Sequence, residues 1–454
     1  MTVFERRLDL PVSPEEAFAW HERDGAFERL APPWESIRLL EKEGGIQVGD
    51  RLVLRHRVGW LPVTWEAVHT AYQPGRLFRD EQKRGPFSSW IHSHGFEPGP
   101  GGQCQLYDRV EYRLPFHGLA SKVAGSLVDK KLRRLFAYRH RITLQDLLDH
   151  KQHGCRNMKI AISGASGLVG SSLEPFLSTA GHEVKALVRP GSSREGIPWD
   201  PARSELDLAA LEGMDAVVHL AGENIAAGRW SDRQKKRILD SRVQGTRVLA
   251  EGLASLQNPP KVLVCASAVG FYGDTGETVV DESQSSGEGF LPQVCQAWEE
   301  AAEPAKRAGI RVVHLRFGVI LSPSGGALKR MLPPFRFGLG GRLGSGNQWM
   351  SWISLEDASA SVLHAIADQE LHGAVNVVAP DPIRNRDFTK VLGKVLRRPT
   401  AFPLPAFVVR TLFGEMGQDL LLAGSGIRPS KLLAGGFRYR HPELEGALRS
   451  MLGR

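Results

Sequence analysis

The chain has 454 residues, more than one domain usually holds, so two or three hydrophobic cores are expected. Its composition, 42% hydrophobic and 24% charged, is typical of globular proteins; no apolar run is long enough to cross a membrane and no signal peptide is recognisable, so a cytoplasmic location is expected. Four scattered cysteines without a CxxC pair argue against a disulfide framework, and a net charge of +8 spread among nearly as many acids argues against nucleic-acid binding.

Residues 1–150 are predicted to form a separate domain of strands, hairpins and helices. A first helix is expected to begin at Pro14, because Ser13 is a favourable N-cap and Glu16 follows at capping-box spacing. The other predicted elements are a strand at 51–58, a hairpin of 87–96 and 104–114 around a Pro/Gly turn, and a long amphipathic helix at 119–149.

This order of elements resembles the helix-grip fold of the START-like, polyketide-cyclase-like (SRPBCC) superfamily. The resemblance implies a cavity between helix and sheet for a lipophilic ligand; a filled core is the alternative. Trp90, His92 and His94 alternate along one strand and are predicted to share a face. Two histidines at this spacing could chelate a metal ion, but no third ligand is evident, so surface or cavity-lining histidines are favoured and no metal site is predicted.

The second domain begins with a candidate dinucleotide-binding turn. Residues 158–162 predict an apolar strand, which breaks into a glycine-spaced turn and then a helix. Gly164 permits the tight turn, Gly167 allows backbone N–H groups to approach a pyrophosphate, and Gly170 lets the helix pack against the strand. An ordinary strand–turn–helix corner is the alternative.

Two further predicted strands, 183–188 and 215–222, give this turn a βαβ context. Arg189 ends the first of them, at the place where an acidic residue would accept the ribose 2′-OH of NAD. An arginine there, with Arg194 shortly after it, can instead donate to a 2′-phosphate, although a solvated basic loop would show the same pattern. The residues therefore predict NADP(H) rather than NAD(H).

From Met158 onward the chain resembles an atypical branch of the extended short-chain dehydrogenase/reductase superfamily, described as sugar-nucleotide-epimerase-like. Beyond the glycine turn, the resemblance is carried by segments at 199–201, 218–225, 229–230, 241–242, 267–273, 315–321 and 351–357. The last part resembles the small C-terminal module of unknown function that accompanies this branch. The predicted organisation is a domain at 1–150, a linker at 151–157, a nucleotide-binding domain at 158–375 and a module at 376–454.

The expected fold is thus an α+β helix-grip domain followed by an α/β Rossmann domain, whose doubly wound parallel sheet carries a small C-terminal α+β module. The resemblance implies a set of cofactor-binding residues. They are Gly164, Ser166, Gly167, Leu168, Val169 and Gly170 at the pyrophosphate, Arg189 at the adenosine phosphate, Leu220, Ala221 and Gly222 beneath the nucleotide, and Arg242 and Arg316 nearby. Strand-end packing is the alternative for Leu220 and Ala221, and pairing with a buried carboxylate for Arg316.

The chain departs from the superfamily at the catalytic pair. No Tyr-x-x-x-Lys sequence is present, and where that helix should run, Leu291 and Cys295 occupy the two places. Tyr272, with Ser267 a turn earlier, is the candidate proton donor, although without a neighbouring cation its pKa would stay too high for easy transfer near neutrality. For Cys295 a packing role is favoured over a reactive thiol.

Candidate substrate-side residues follow the third strand and lie in a later glycine-rich segment. Glu223 and Asn224 are placed to contact substrate, and residues 331–350 predict a loop in which Arg336 and Arg342 bind an anionic group. A connector to the C-terminal module is the alternative for this loop.

Two functions follow from these residues. The first is an NADP(H)-dependent oxidoreductase or epimerase-like enzyme acting on a small carbonyl or sugar-like substrate. The alternative is a non-catalytic NADPH-binding sensor whose N-terminal domain binds a lipophilic ligand or a partner protein. The predicted partners are thus small molecules; no membrane span is predicted, and the sequence leaves the oligomeric state open.

Overall fold

The computed structural model describes residues 1–58, 61–115, 119–154 and 157–454. The chain divides into two compact units, the first built mainly from Met1–Cys155 and the second mainly from Arg156–Leu177 and His182–Leu452.

The first unit contains an antiparallel sheet of seven strands. They are β1 (Thr2–Leu10), β2 (Arg38–Glu43), β3 (Arg51–Val58), β4 (Leu61–Gln73), β5 (Leu77–Arg84), β6 (Ser89–Pro98) and β7 (Cys104–Arg113). Their spatial order is β1-β7-β6-β5-β4-β3-β2. The predicted hairpin is confirmed, because β6 and β7 pair in register from Pro98 and Cys104 outward around a single 3₁₀ turn at Pro100–Gly102.

Among the described residues three helices accompany this sheet: α1 (Pro14–Glu22), α2 (Ala26–Leu30) and α3 (Leu119–His153). The predicted start of α1 is confirmed, since the Ser13 side chain accepts a hydrogen bond from the Glu16 backbone N–H at 3.3 Å. Buried Phe136 and Ile142 of α3 join core clusters with residues of the sheet. One long helix on an antiparallel sheet is the predicted helix-grip arrangement.

Helix α3 is longer than predicted. It ends at His153 rather than at Asp149, so residues 151–153 of the predicted linker are helical. Residues 155 and 156 of that linker lie outside the described part of the chain.

The predicted strand histidines are buried rather than on the surface: His92 and His94 are 4% and 7% exposed. The antiparallel register also places Asp80 of β5 opposite His92. A third potential metal ligand is therefore present, which the spacing along one strand did not show, because it comes from a different strand.

The second unit is built on fourteen strands. They are β8 (Lys159–Ser163), β9 (Glu183–Val188), β10 (Ile197–Asp200), β11 (Glu205–Leu206), β12 (Ala216–His219), β13 (Val262–Ala268), β14 (Val279–Val280), β15 (Arg311–Phe317), β16 (Val319–Leu321), β17 (Trp349–Met350), β18 (Trp352–Ser354), β19 (Gly373–Val377), β20 (Ile383–Arg384) and β21 (Gly426–Ile427).

The described part of this unit contains eleven α-helices. They are α4 (Gly170–Thr179), α5 (Asp232–Ala254), α6 (Phe290–Glu300), α7 (Glu303–Arg307), α8 (Gly326–Arg336), α9 (Leu355–Ala367), α10 (Asn385–Leu396), α11 (Ala406–Phe413), α12 (Glu415–Gly417), α13 (Ser430–Ala434) and α14 (Leu444–Leu452). Short 3₁₀ turns lie at Ala209–Leu211 and Val269–Tyr272, and a π-helical turn at Gln418–Leu422.

The main sheet has the order β11-β10-β9-β8-β12-β13-β15-β19, and every neighbouring pair is parallel except β10 with β11. The chain places β9, β10 and β11 on one side of β8 and then crosses over to place β12 on the other side. The strand order therefore reverses between β8 and β12. Separate clusters, one with Phe176 and Val362 and the other with Leu249 and Ala305, contain the inner side chains of different helices. The predicted Rossmann fold with a doubly wound sheet is confirmed.

Two predicted boundaries differ from the structure. The predicted start of the C-terminal module at residue 376 falls inside β19, which pairs with β15 and so belongs to the main sheet. The predicted loop at 331–350 is partly helical, because α8 continues to Arg336 through Pro333 and Pro334. Burial of Leu328, Leu332 and Phe335 on one face of α8 outweighs the cost of the two prolines.

None of the described helices is both long enough and apolar enough to cross a membrane.

Candidate nucleotide-binding site

The glycine turn lies at the carboxyl end of β8, where the strand order reverses. Gly164 has a φ of 71°, in the left-handed region, and a Cβ added to it would lie 2.8 Å from the backbone nitrogen of Ala221. A Cβ on Gly170 would lie 2.3 Å from the Gly164 carbonyl oxygen. The Gly167 N–H closes the turn by donating to that oxygen at 2.9 Å. The turn, the start of α4 and the chain after β12 thus approach one another too closely for side chains.

The other predicted residues of the turn line its outer side. Ser166 and Gly167 are exposed, whereas Leu168 and Val169 are half-buried. An exposed turn that opens a helix at the switch point of a parallel sheet is the ordinary place for an anionic pyrophosphate, because backbone N–H groups and the positive helix end face it.

A buried hydrogen-bonded clamp that the sequence analysis missed fixes the chain after β12. The Ser163 hydroxyl lies 2.6 Å from His219 Nδ1 and accepts from the backbone N–H groups of Leu220 and Ala221 at 3.2 and 3.3 Å. Because Ser163 Oγ already accepts twice, its own proton is directed to Nδ1, which requires a neutral imidazole. Burial agrees with this, since it lowers the pKa of His219 to about 4.

The two arginines after β9 differ in whether their guanidinium groups are already paired. Arg194 forms an ion pair with Glu174 of α4. Arg189 is exposed, and within the described parts of the chain its guanidinium has no hydrogen-bond or ion-pair partner. Arg189 therefore remains available to an anion, whereas Arg194 is already neutralised.

Arg242 lies beside the predicted nucleotide-backing segment. Its guanidinium carbon is 3.4 Å from the position of a Cβ built on Gly222, and the group stacks over the Trp298 ring at 4.9 Å. Burial lowers the pKa of Arg242, although the negative charge of nearby Glu223 acts in the opposite direction. The structure thus brings Arg242 to the end of β12.

Arg316 pairs with a buried carboxylate, which is the alternative role that the sequence left open for it. Its guanidinium makes two hydrogen bonds of 2.8 Å to the Glu299 carboxylate, and its side chain is only 5% exposed. Burial alone would raise the pKa of Glu299, but the hydrogen bonds and charge of Arg316 hold it below the ordinary value. The guanidinium donors are directed to Glu299 and Tyr272, and a contact of Arg316 with the nucleotide stays a prediction.

Both predicted catalytic hydroxyls belong to the same buried network. Tyr272 accepts from Arg316 at 2.9 Å and donates to Asn376 Oδ1 at 2.7 Å, while Ser267 donates to Glu299 at 2.7 Å. The cation that the sequence did not show beside Tyr272 is therefore present. Burial nevertheless raises the pKa of Tyr272, and Arg316 only partly offsets this effect.

Cys295 lies in the same region, with its thiol 3.6 Å from the Ala268 carbonyl oxygen. It is buried, and burial raises its pKa to about 12, so the thiol is protonated at neutral pH. This agrees with the packing role that the sequence favoured.

The substrate-side candidates do not form one cluster through direct contacts. Glu223 lies 3.6 Å from Arg237, and the exposed Asn224 closes a turn by accepting from the Ala226 N–H. Arg336, the last residue of α8, and Arg342, six residues beyond it, are both exposed.

Three family models match the sequence in the order of its predicted parts. "Polyketide cyclase / dehydrase and lipid transport" matches residues 10–141, "NAD dependent epimerase/dehydratase family" residues 160–378, and "Domain of unknown function (DUF1731)" residues 404–451. An "Epimerase family protein" of Mycobacterium bovis is 47% identical over 294 residues, which is 64% of this chain and 97% of that protein. The chain therefore belongs to the NAD dependent epimerase/dehydratase family, and the predicted resemblances are confirmed.

Solved structures agree with this assignment. The nucleoside-diphosphate sugar epimerase from Corynebacterium glutamicum is 31% identical with a TM-score of 0.80, covering 99% of this chain and 90% of its own. The human epimerase family protein SDR39U1 (isoform 2), solved with NADPH, is 36% identical with a TM-score of 0.60, covering 65% of this chain and 99% of its own.

The close packing of the glycine turn predicts that Gly170→Ala destabilises the second unit. The added methyl overlaps backbone atoms, which cannot move as a flexible side chain can, so a loss of about 1–3 kcal/mol is expected in urea unfolding. Gly228→Ala is the control, because a Cβ there meets nothing within 4 Å. Equal stability of the two variants would contradict the packing argument.

The buried ion pair predicts that Glu299→Gln destabilises the second unit by about 3–5 kcal/mol, since it leaves the Arg316 guanidinium buried without its counter-charge. Glu300→Gln, an exposed change one residue later on α6, should have little effect. Because the pKa of Glu299 is lower in the folded state, the pair's contribution is present above pH 4.5 and is lost as the pH falls through the folded-state value. Urea unfolding at several pH values measures both effects.

Proposed function

We propose that this protein is an NADP(H)-dependent oxidoreductase or epimerase-like enzyme that acts on a small carbonyl or sugar-like compound. The observation that carries the proposal is the glycine turn at the switch point of the parallel sheet, with the unpaired Arg189 at the end of the neighbouring strand β9. Membership of the epimerase/dehydratase family supports it.

The preference for NADP(H) rests on charge. A 2′-phosphate needs a cation at the end of β9, and Arg189 is a cation that no carboxylate among the described residues neutralises. The human relative with 36% identity was solved with NADPH.

The residues present fit a dinucleotide. The turn, packed closely at Gly164 and Gly170, would present its backbone N–H groups to the pyrophosphate, Arg189 would bind the adenosine phosphate, and the segment Leu220–Gly222 would lie beneath the nucleotide. Arg242 adds a second cation beside Gly222. The bound cofactor would supply hydride exchange, and the chain's own residues bind, orient and exclude water.

We assign Tyr272 and Ser267 to positioning rather than to proton transfer. The proton of each hydroxyl is already donated within a buried network, to Asn376 and to Glu299 respectively. This network joins the chain after β13 to β15 through Arg316 and to β19 through Asn376, and so fixes the carboxyl ends of three neighbouring strands. Glu223 and Asn224, four and five residues after the end of β12, remain the candidate polar groups toward substrate.

A second function is a non-catalytic NADPH-binding protein. The absence of the Tyr-x-x-x-Lys pair favours it, as does the engagement of the Tyr272 hydroxyl. In either function, a lipophilic ligand in the first unit stays a prediction, as does a cytoplasmic location.

Calorimetric titration of the full chain with NADPH and NADH tests the cofactor. We expect NADPH to bind much more tightly than NADH, and Arg189→Ala to weaken NADPH binding about tenfold to a hundredfold with little effect on NADH. Arg307→Ala is the matched control, because Arg307 is exposed at the end of α7, four residues before β15 begins, and so lies at the opposite edge of the sheet. Equal binding of NADPH and NADH by the unmodified chain would contradict the proposal.

The same protein separates the two functions. The chain loaded with NADPH is mixed with a panel of small carbonyl compounds and nucleotide sugars while the absorbance of the reduced nicotinamide and the sugar products are followed. Turnover that Arg189→Ala reduces and Arg307→Ala does not would support an enzyme. Tight NADPH binding without turnover of any panel member would favour the binding protein.

A further inference from the structure

A buried cluster of histidine and aspartate side chains lies in the first unit, outside the nucleotide site. Asp80 of β5 pairs with His92 of β6, and Asp108 of β7 pairs with His94 of β6. Directly paired residues of antiparallel strands point to the same face, so these four side chains share one side of the sheet. His140 of α3 contacts the cluster, which places it on the face that the helix covers.

Three of these residues have the geometry of a metal-binding set. Asp80 Oδ2 lies 3.3 Å from His92 Nδ1 and 3.9 Å from His94 Nε2, and one ligand atom from each of the three residues lies within 4.8 Å of the others. Tetrahedral ligands with bonds of about 2.0–2.1 Å are separated by about 3.3 Å, so small side-chain rotations would bring all three to one ion.

Asp108 supports the opposite nitrogens of both histidines. Its Oδ1 lies 3.0 Å from His92 Nε2 and 2.7 Å from His94 Nδ1, while its Oδ2 lies 2.6 Å from His140 Nε2. Histidines that bind a metal through one ring nitrogen usually donate the N–H of the other to a carboxylate, a backbone carbonyl or a water, which fixes the ring orientation. Asp108 is hydrogen-bonded in this way to His92 and lies within ion-pair distance of His94.

The burial of two carboxylates in this cluster also favours a bound cation. The side chains of Asp80 and Asp108 are 17% and 5% exposed, and buried carboxylates need positive charge nearby, part of which Arg139 of α3 supplies. A divalent ion held by Asp80, with Asp108 behind the histidines, would neutralise both.

We propose that the first unit binds one divalent transition-metal ion, of the Zn²⁺ or Fe²⁺ kind, through His92 Nδ1, His94 Nε2 and Asp80 Oδ2. Two imidazoles and one carboxylate suit these ions and leave a coordination position open for water or a ligand. His69 of β4 is a candidate additional ligand, because it pairs with Asp80 and its Nδ1 is buried without a hydrogen-bond partner in the described part of the chain.

Cobalt titration of the full chain tests this proposal, because Co²⁺ occupies zinc and iron sites and absorbs visible light. After treatment with a chelator, we expect one Co²⁺ per chain, with the strong visible bands of a four- or five-coordinate ion, and displacement by Zn²⁺. Asp80→Asn and His94→Gln should abolish this binding. Asp108→Asn should weaken it about tenfold to a hundredfold, as expected for a residue behind the ligands.

His56→Gln is the control, because His56 is a half-buried histidine of β3 outside the cluster. It should bind Co²⁺ as the unmodified chain does, and circular dichroism checks that each variant is folded. Should a ligand variant fail to fold, the spectrum of the unmodified chain decides. Weak bands of a hydrated ion, or no stoichiometric binding, would overturn the proposal. Equal affinity of His94→Gln and His56→Gln would also overturn it.

Discussion

The hydroxyl of Ser163 is the constraint on which the nucleotide half of the molecule depends. It stands at the carboxyl end of β8 and binds both the imidazole that ends β12 and the two N–H groups that follow it. These strands are the neighbours between which the sheet reverses its order, so a crevice must open above them. The hydrogen bonds of Ser163 hold the bottom of this crevice together. Because Gly164 and Gly170 have no side chains, the turn packs closely against the chain after β12. A nucleotide site thus follows from backbone packing.

A second constraint is electrostatic. Arg316 and Glu299 are both largely buried, and the hydrogen bonds between them, together with those to Tyr272 and from Ser267, compensate for the water that both groups have lost. The pair also orients Tyr272, which superfamily reasoning made a candidate acid but which the structure makes a member of a closed network. A cation lies beside the phenol, but its proton is already donated to Asn376. The family therefore fixes the fold and the kind of cofactor more firmly than it fixes the chemistry.

The two units illustrate how polar groups are buried. In the second unit the buried polar groups near the nucleotide site form pairs. Ser163 of β8 pairs with His219 of the neighbouring parallel strand β12, and Arg316 of β15 pairs with Glu299 of α6. In the first unit two carboxylates and three imidazoles share one space beneath α3. That concentration of carboxylates and ring nitrogens in one buried place is the basis of the proposed metal site.

The spacing of residues along the chain was enough by itself to determine several elements of this protein's structure. The periodicity of 183–188, the turn around Pro100–Gly102 and the glycines from Gly164 to Gly170 predicted strands, hairpin and nucleotide turn, because each depends on residues adjacent in the chain. Only the tertiary structure decided the partner of Arg316, the Ser163 clamp and the position of Asp80 beside His92. These contacts join residues from different strands and helices, so they depend on strand order and register, which no local pattern encodes.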